Sequence, residues 1–401
     1  MQTSYKLKSI LFPWICWIIA SAVYAIQHGM YLYPSLVTKE LQETFSIGTF
    51  EIGLFSSAYL YSYVIMQTPS GLLFDKFSSK KILGIAILLL IFSCVILAST
   101  KNYYMALLSR IILGIGGSFT FVGAIYLSRS WFSSAIFPII VGVTEAMSGM
   151  GDVGLSVTFV YLKNNQSWQF IVFEIALLFI FLYLLTLFFI KDNPSIEKTK
   201  NISIRDDFHY CFFNRTVWML GLFIGCSFAN FAVMGLLWGI PYFMLHYHVS
   251  EEVAVFENSA LIIGFIIGCT GMGYLTRYFS EEKIMLVSAF FLLITNIFSI
   301  YVPFDLYSEG VDIFISGFLI GNVVLPFSLA RRILARESYG IISGFINMFF
   351  GGISILLIPI VSFILEKTKG DFKIAYLPVL LSSVIAFLIA LRLNFSLKKK
   401  T

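Results

Sequence analysis

The sequence predicts an all-α membrane protein of twelve transmembrane helices, arranged as two six-helix bundles related by a pseudo-twofold axis. Three observations predict it: an extreme apolar composition, apolar segments of bilayer length from end to end, and an internal repeat that joins the two halves.

Of 401 residues, 58% are hydrophobic and 12% charged, with 42 phenylalanines and a mean hydropathy of +0.88. A water-soluble core stops growing well below this size, so most of this apolar surface needs lipid as its solvent. Hydrocarbon about 30 Å thick takes roughly 20 helical residues per crossing. Segments of that length fall at 11–36, 49–73, 80–100, 104–128, 133–161, 168–190, 216–246, 255–276, 283–303, 311–334, 340–365 and 373–394. The first apolar run is too long for a signal-peptide core and lacks a small-residue cleavage site, so it is expected to remain as a span. Cys16, Cys94, Cys211, Cys226 and Cys269 show no metal or disulfide spacing and read as packing residues.

Orientation follows Lys and Arg in the short loops. With the N-terminus in the cytoplasm, twenty of them, including Lys6, Lys8, Lys80, Lys81 and the run Lys398 to Lys400, fall on that side and six on the other. Both termini are therefore expected in the cytoplasm of a multi-pass inner-membrane protein, and the charge of +5 reports topology and lipid headgroups, with no nucleic-acid partner. The longest polar interruption, 191–215, separates an N-terminal bundle (1–190) from a C-terminal bundle (216–401). Within it Ile204, Phe208 and Phe212 recur every four residues, as in a short amphipathic helix on the cytoplasmic surface.

The repeat lies in the second and eighth loops. Gly71, Leu73, Phe77, Ser78 and Lys81 match Gly273, Leu275, Phe279, Ser280 and Lys283 at a constant offset of 202, which also carries Arg129 onto Arg331. Such halves enclose a site between them. Gly71 permits close helix approach, and Asp75, near helix ends and basic residues, suits a charge-assisted latch that holds one conformation. Its counterpart is Arg277, so the two loops are not equivalent locks.

The first loop resembles the signature of the major facilitator superfamily between spans two and three, through Gly71, Leu73, Asp75, Lys76, Lys80 and Lys81, with Ser78 where that family usually has Gly. Arg110, Gly114 and Gly116 in the fourth span are similar to the family's Arg-x-x-x-Gly-x-Gly pattern. The resemblance implies a twelve-helix secondary transporter that works by alternating access.

Ionisable groups at membrane depth cost roughly 2.5 to 3.5 kcal/mol on insertion scales, and each is a functional candidate. Arg110 lies roughly 9 Å deep at the helical rise, and Asp152 on the antiparallel fifth span is placed to pair with it. Glu145 stands seven residues, or two turns, before Asp152, near the bilayer midplane; both are candidates for proton coupling. Tyr24, Gln27, His28 and Tyr31 form a polar stripe on the first span, expected to line a substrate cavity with Arg110. Asn230, Trp238, Asn322 and Asn347, with Asn258 and Asn296, offer a neutral polar wall in the second half. Pro138, Pro241, Pro326 and Pro359 are expected to bend spans.

The chain has no nucleotide-binding loop, HExxH or soluble domain, which argues against an enzyme, and no re-entrant filter or ring of charge, which argues against a channel. What remains is a transporter, expected to act as a monomer without a cofactor, on an ion gradient of protons. The expected cargo is a small polar or anionic solute (an amino acid, organic acid or metal-chelating metabolite) taken up by symport, the alternative being proton-driven multidrug or metabolite efflux. The missing proline of the drug-antiporter pattern in the fifth span, among Gly142, Gly149, Gly151 and Gly154, favours uptake.

Overall fold

The computed structural model describes residues 2–163, 165–194, 204–334 and 338–398, and every regular element among them is a helix. Helices follow from the solvent: lipid offers no partner to backbone N–H and C=O groups, so each span must satisfy its own.

The first sequence half contains α1 (Gln2–Leu36), a short α2 (Thr38–Phe45), α3 (Thr49–Lys76), α4 (Ser79–Ser99), α5 (Tyr103–Trp131), α6 (Phe137–Leu162) and α7 (Trp168–Phe189). The linker holds α8 (Ile204–Phe213). The second half contains α9 (Arg215–Asn230), continued through a π-helical stretch (Phe231–Trp238) into α10 (Gly239–Tyr247), then α11 (Glu251–Leu275) and α12 (Glu281–Tyr301). There follow α13 (Leu306–Ile320), continued through a 3₁₀ turn (Gly321–Val324) into α14 (Leu325–Ile333), then α15 (Tyr339–Lys367), α16 (Phe372–Ala375) and α17 (Leu377–Lys398). Counting the interrupted runs as single crossings, twelve spans stand where the sequence places them, ten of them passing a strict test of length and hydropathy. Their ends are set by polar caps: Asn102, Asn214 and Asp305 each accept backbone N–H bonds from the first turn of α5, α9 and α13. Leu54, Ile65, Phe92, Phe181, Phe290 and Phe363 lie on the exposed faces, where lipid covers them.

Contacts divide the chain into two compact units that depart from the sequence halves in two places. The first takes residues 1–133, 147–209 and 336–344; the second takes 134–146, 210–335 and 345–401. The start of α6 thus packs with the second unit and the start of α15 with the first, where the division expected from the sequence was simply 1–190 against 216–401. In the first unit α5 is the central helix, packed on α1, α3 and α4, with α7 against α4. In the second, α11 packs on α13, and α17 on α9 and α12.

The linker helix α8 stands where the periodicity expects a helix. Asp207 and Cys211 are buried, while Phe208 and Phe212 are exposed. The Ser338 hydroxyl donates to Asp207 Oδ1 at 2.7 Å, so a hydrogen-bonded carboxylate, not the phenylalanine stripe, anchors this helix. Lys198, Lys200, Lys399 and Lys400 lie outside the described residues. Of the prolines expected to bend spans, Pro359 sits inside α15 and Pro326 follows the 3₁₀ turn that interrupts the tenth crossing, but Pro138 falls at the second residue of α6, where a missing N–H costs nothing.

Candidate functional site

In the first unit the polar stripe of α1 gathers partners from three other helices. Gln27 is fully buried; its amide donates to the Tyr59 hydroxyl of α3 and accepts from Thr120 Oγ1 of α5 at 3.0 Å. Tyr31 stacks on Tyr59 at 4.9 Å and Tyr24 meets His28 edge-on at 5.7 Å. His28 Nδ1 lies 2.8 Å from Asp152 Oδ1 of α6, an ion pair when the imidazole is protonated. Tyr24 and Gln27 are buried, whereas His28 and Tyr31 keep partial exposure, so the stripe is half core and half accessible.

The partner of Asp152 is therefore His28 and not Arg110. Arg110 is completely buried, donating from Nη1 to the Met30 carbonyl (3.0 Å), from Nη2 to that of Tyr31 (3.1 Å) and from Nε to that of Phe55 (3.4 Å). The rings of Tyr33, Phe55 and Tyr59 surround its guanidinium at 5.2–5.6 Å. The physical reason is Pro34 inside α1: it has no N–H for the carbonyl four residues earlier, which is Met30's. Arg110 supplies the missing donor, and its fork is consumed by backbone and cannot meet a solute in this conformation.

Glu145 and Asp152, two turns apart on α6, belong to different environments. Asp152 falls in the first unit. Glu145, 1% exposed, falls in the 134–146 segment of the second unit.

The second unit carries a cavity of about 410 Å³ that sequence reasoning did not find. Asn230, Tyr242, Ser299, Glu309, Phe372 and Tyr376 are among the residues that line it. Of the polar residues singled out from the sequence, Asn230 alone reaches it. Its amide donates to Asn296 Oδ1, while Asn296 donates to Ser383 and accepts from the Tyr376 hydroxyl at 3.3 Å. Trp238 Nε1 donates to Ser362 Oγ at 3.1 Å, Asn322 Nδ2 donates to Ser288 Oγ at 3.1 Å, and Asn347 is buried in α15; none of the three lines the cavity. Glu309 and Asp312 lie one turn apart on α13, and Glu309 was missed because the tenth span was started at 311. The signal was Asp305, a helix-capping residue that starts the helix at Leu306. A shallower groove of about 360 Å³ in the first unit carries another unforeseen acid, Glu174 of α7.

The repeat becomes two matching junctions. In the first unit, a side chain on Gly71 would collide with the Gly340 carbonyl, and one on Gly344 with the Gln67 carbonyl. In the second, a side chain on Gly273 would press on the Pro138 carbonyl, and one on Gly142 on that of Cys269. Arg129 covers the ring of Tyr339 at 4.6 Å, and Arg331 covers Phe137 at 4.4 Å. Every member of one junction lies 202 residues from its counterpart in the other.

Their chemistry differs at one point. Asp75 accepts from the backbone N–H groups of Gly340 (2.8 Å) and Ile341 (2.9 Å), placing a buried carboxylate at the N-terminus of α15, where the helix dipole favours it. Lys80 and Lys81, expected near it, begin α4 and form no ion pair with it. Arg277, the counterpart of Asp75, instead covers Tyr274 of its own loop at 5.0 Å. Pro138 stands where the first junction has Gly340 and offers no N–H, so a carboxylate at 277 would find one donor fewer.

The profile of the Major Facilitator Superfamily matches residues 16–359, nearly the whole chain. The chain belongs to the major facilitator superfamily. It is thus a transporter of small molecules in a lipid bilayer and not an enzyme. The uncharacterized transporter YybO of Bacillus subtilis (strain 168) is 21% identical over 378 residues, covering 86% of this chain and 85% of YybO. The nitrite extrusion protein of the same organism is 20% identical over 357 residues, covering 88% and 87%. A solved structure of the E. coli fucose:proton symporter FucP is similar in fold, with a TM-score of 0.75 at 18% identity over 95% of this facilitator and 98% of FucP.

Proposed function

We propose that this facilitator is a proton-coupled symporter of the inner membrane, with both termini cytoplasmic, that takes up a small polar or anionic solute by alternating access. Amino acids, organic acids and metal-chelating metabolites are the candidate cargo classes. The observation that carries the reading is the His28–Asp152 pair, two titratable groups in contact inside membrane-spanning helices and beside the partly exposed Tyr31. Adding or removing a proton there changes the charge of a pair that joins α1 to α6, and a proton drives transport only by binding two conformations differently. Glu145 is the second candidate carrier, and the Asp75 junction is the latch that favours one of the two conformations. Arg110 organises α1 and α3 around the site, with no direct contact to cargo in this state.

In proteoliposomes with an imposed pH gradient and a panel of labelled metabolites, Asp152→Asn is expected to abolish pH-driven accumulation while retaining counterflow exchange. Glu145→Gln, assayed alongside, assigns or removes the second carrier by the same criterion. Accumulation that survives in both variants would overturn proton coupling through α6. Proton-driven efflux is the second reading, supported by the name of the nitrite extrusion protein. Cargo moving opposite to the protons, into the proton-rich compartment, would establish it.

A further inference from the structure

The cavity of the second unit is built around a carboxylate that, among the described residues, forms no ion pair. Glu309 is 1% exposed and lines the cavity. Its two oxygens receive only the hydroxyls of Tyr242 and Tyr247, each at 3.3 Å, beyond the 2.5–3.0 Å of a well-formed O–H···O bond. Among the described residues it has no ion-pair partner. Asp312, one turn deeper, adds negative charge and accepts from Ser299 Oγ at 2.7 Å. Glu257 Oε2 also approaches Gly310, beside Glu309. The other charged groups lie at the rim: Asp371 is occupied in capping α16, and Lys373 and His246 are exposed. Buried and incompletely bonded, the Glu309 carboxylate has spare acceptor capacity directed into a space of about 410 Å³, within the range of small-molecule sites.

The walls are aromatic. Tyr242 stacks on His246 at 5.3 Å and meets Phe372 edge-on at 5.2 Å, and Tyr376 closes the inner side. Rings beside a desolvated carboxylate stabilise a cation twice, by direct charge pairing and through their electron-rich faces.

We propose that the cavity framed by α10, α12, α13 and α16 binds a solute through a protonated amine, seated against the Glu309 carboxylate and walled by Tyr242, Phe372 and Tyr376. A neutral or anionic head in that place leaves the carboxylate buried and unmatched, which is the condition for strong discrimination. The proposal rests on the transporter reading for its physiological use, and selects the amine-bearing class among the candidate cargoes.

The test is equilibrium binding to the purified full-length protein in detergent, by calorimetry, with phenethylamine, 2-phenylethanol and phenylacetate, three probes of one shape that differ in the charge of the head. Phenethylamine is expected to bind at least tenfold more tightly than the other two. Glu309→Gln is expected to erase that preference, and Tyr242→Phe to weaken binding while keeping it. Should Glu309→Gln fail to fold, Glu309→Asp keeps the charge but withdraws it by one methylene, and is expected to lower amine affinity alone. Equal affinity for the three probes, or an amine preference that survives in Glu309→Gln or is undiminished in Glu309→Asp, would overturn the proposal. No gradient enters these measurements, so failure of pH-driven accumulation leaves them standing, and loss of the amine preference leaves proton coupling untouched.

Discussion

Asp75→Asn is expected to free the first turn of α15 from α3. The carboxylate accepts two backbone N–H groups and faces the positive end of a helix; the amide keeps one acceptor oxygen and no charge. Hydrogen bonds to charged groups contribute about 1.5–3 kcal/mol each, so losing the charge and one bond shifts the equilibrium about ten- to a hundredfold toward the open junction. Ser343→Cys, at a position now 2% exposed, reports this directly once the native cysteines, all buried, are replaced. In that background the rate of thiol labelling at 343 is expected to rise about as much when Asp75→Asn is added, whereas Arg277→Gln leaves it unchanged. Equal labelling with and without the aspartate would show that the junction is held by glycine packing alone.

Arg110→Lys should be the most damaging conservative change in the first unit. Three carbonyls from α1 and α3 converge on the guanidinium, and the primary amine of lysine cannot serve all three in the fixed directions of the arginine fork. The Met30 carbonyl, which has no helical donor, costs about 1–3 kcal/mol if left unpaired, and the weakened bonds to Tyr31 and Phe55 add to that loss, seen as a lower thermal midpoint in detergent. Asp152→Asn, whose partner is His28, is expected to keep most of its stability, and adding it to Arg110→Lys should bring no rescue. A double variant more stable than Arg110→Lys alone would mean that the two residues do communicate.

The spans, their ends to a few residues and the pseudo-twofold repeat were legible because each depends on one strong local quantity: apolar length for the spans, identity at a fixed offset for the repeat. Partnerships inside the membrane were not legible. Depth alone paired Asp152 with Arg110, and the actual choice of His28 turns on Pro34, which frees the Met30 carbonyl that claims Arg110 from another helix. Glu309 escaped because hydropathy fades at charged helix ends; Asp305 and Glu309 pushed the apparent start of a helix beyond its own first turn. On α8 the every-fourth-residue pattern gave the helix but not the role of Asp207, a buried carboxylate that accepts from the Ser338 hydroxyl.

The π-helical stretch between Asn230 and Gly239 has a consequence for everything that follows it in the span. A π turn holds one residue more than the α turn it replaces, so each later side chain is displaced by about 100° around the axis relative to an unbroken α-helix. Tyr242 lies just past that stretch, and its hydroxyl points at Glu309 in this shifted register. Winding the full sequence as one α-helix would swing Tyr242 about a quarter-turn from the carboxylate, whereas removing a single residue from the stretch, such as Gly235, would let the span wind as an α-helix with Tyr242 still facing Glu309. The way this stretch absorbs its surplus residue therefore decides which side chains the span presents to the cavity.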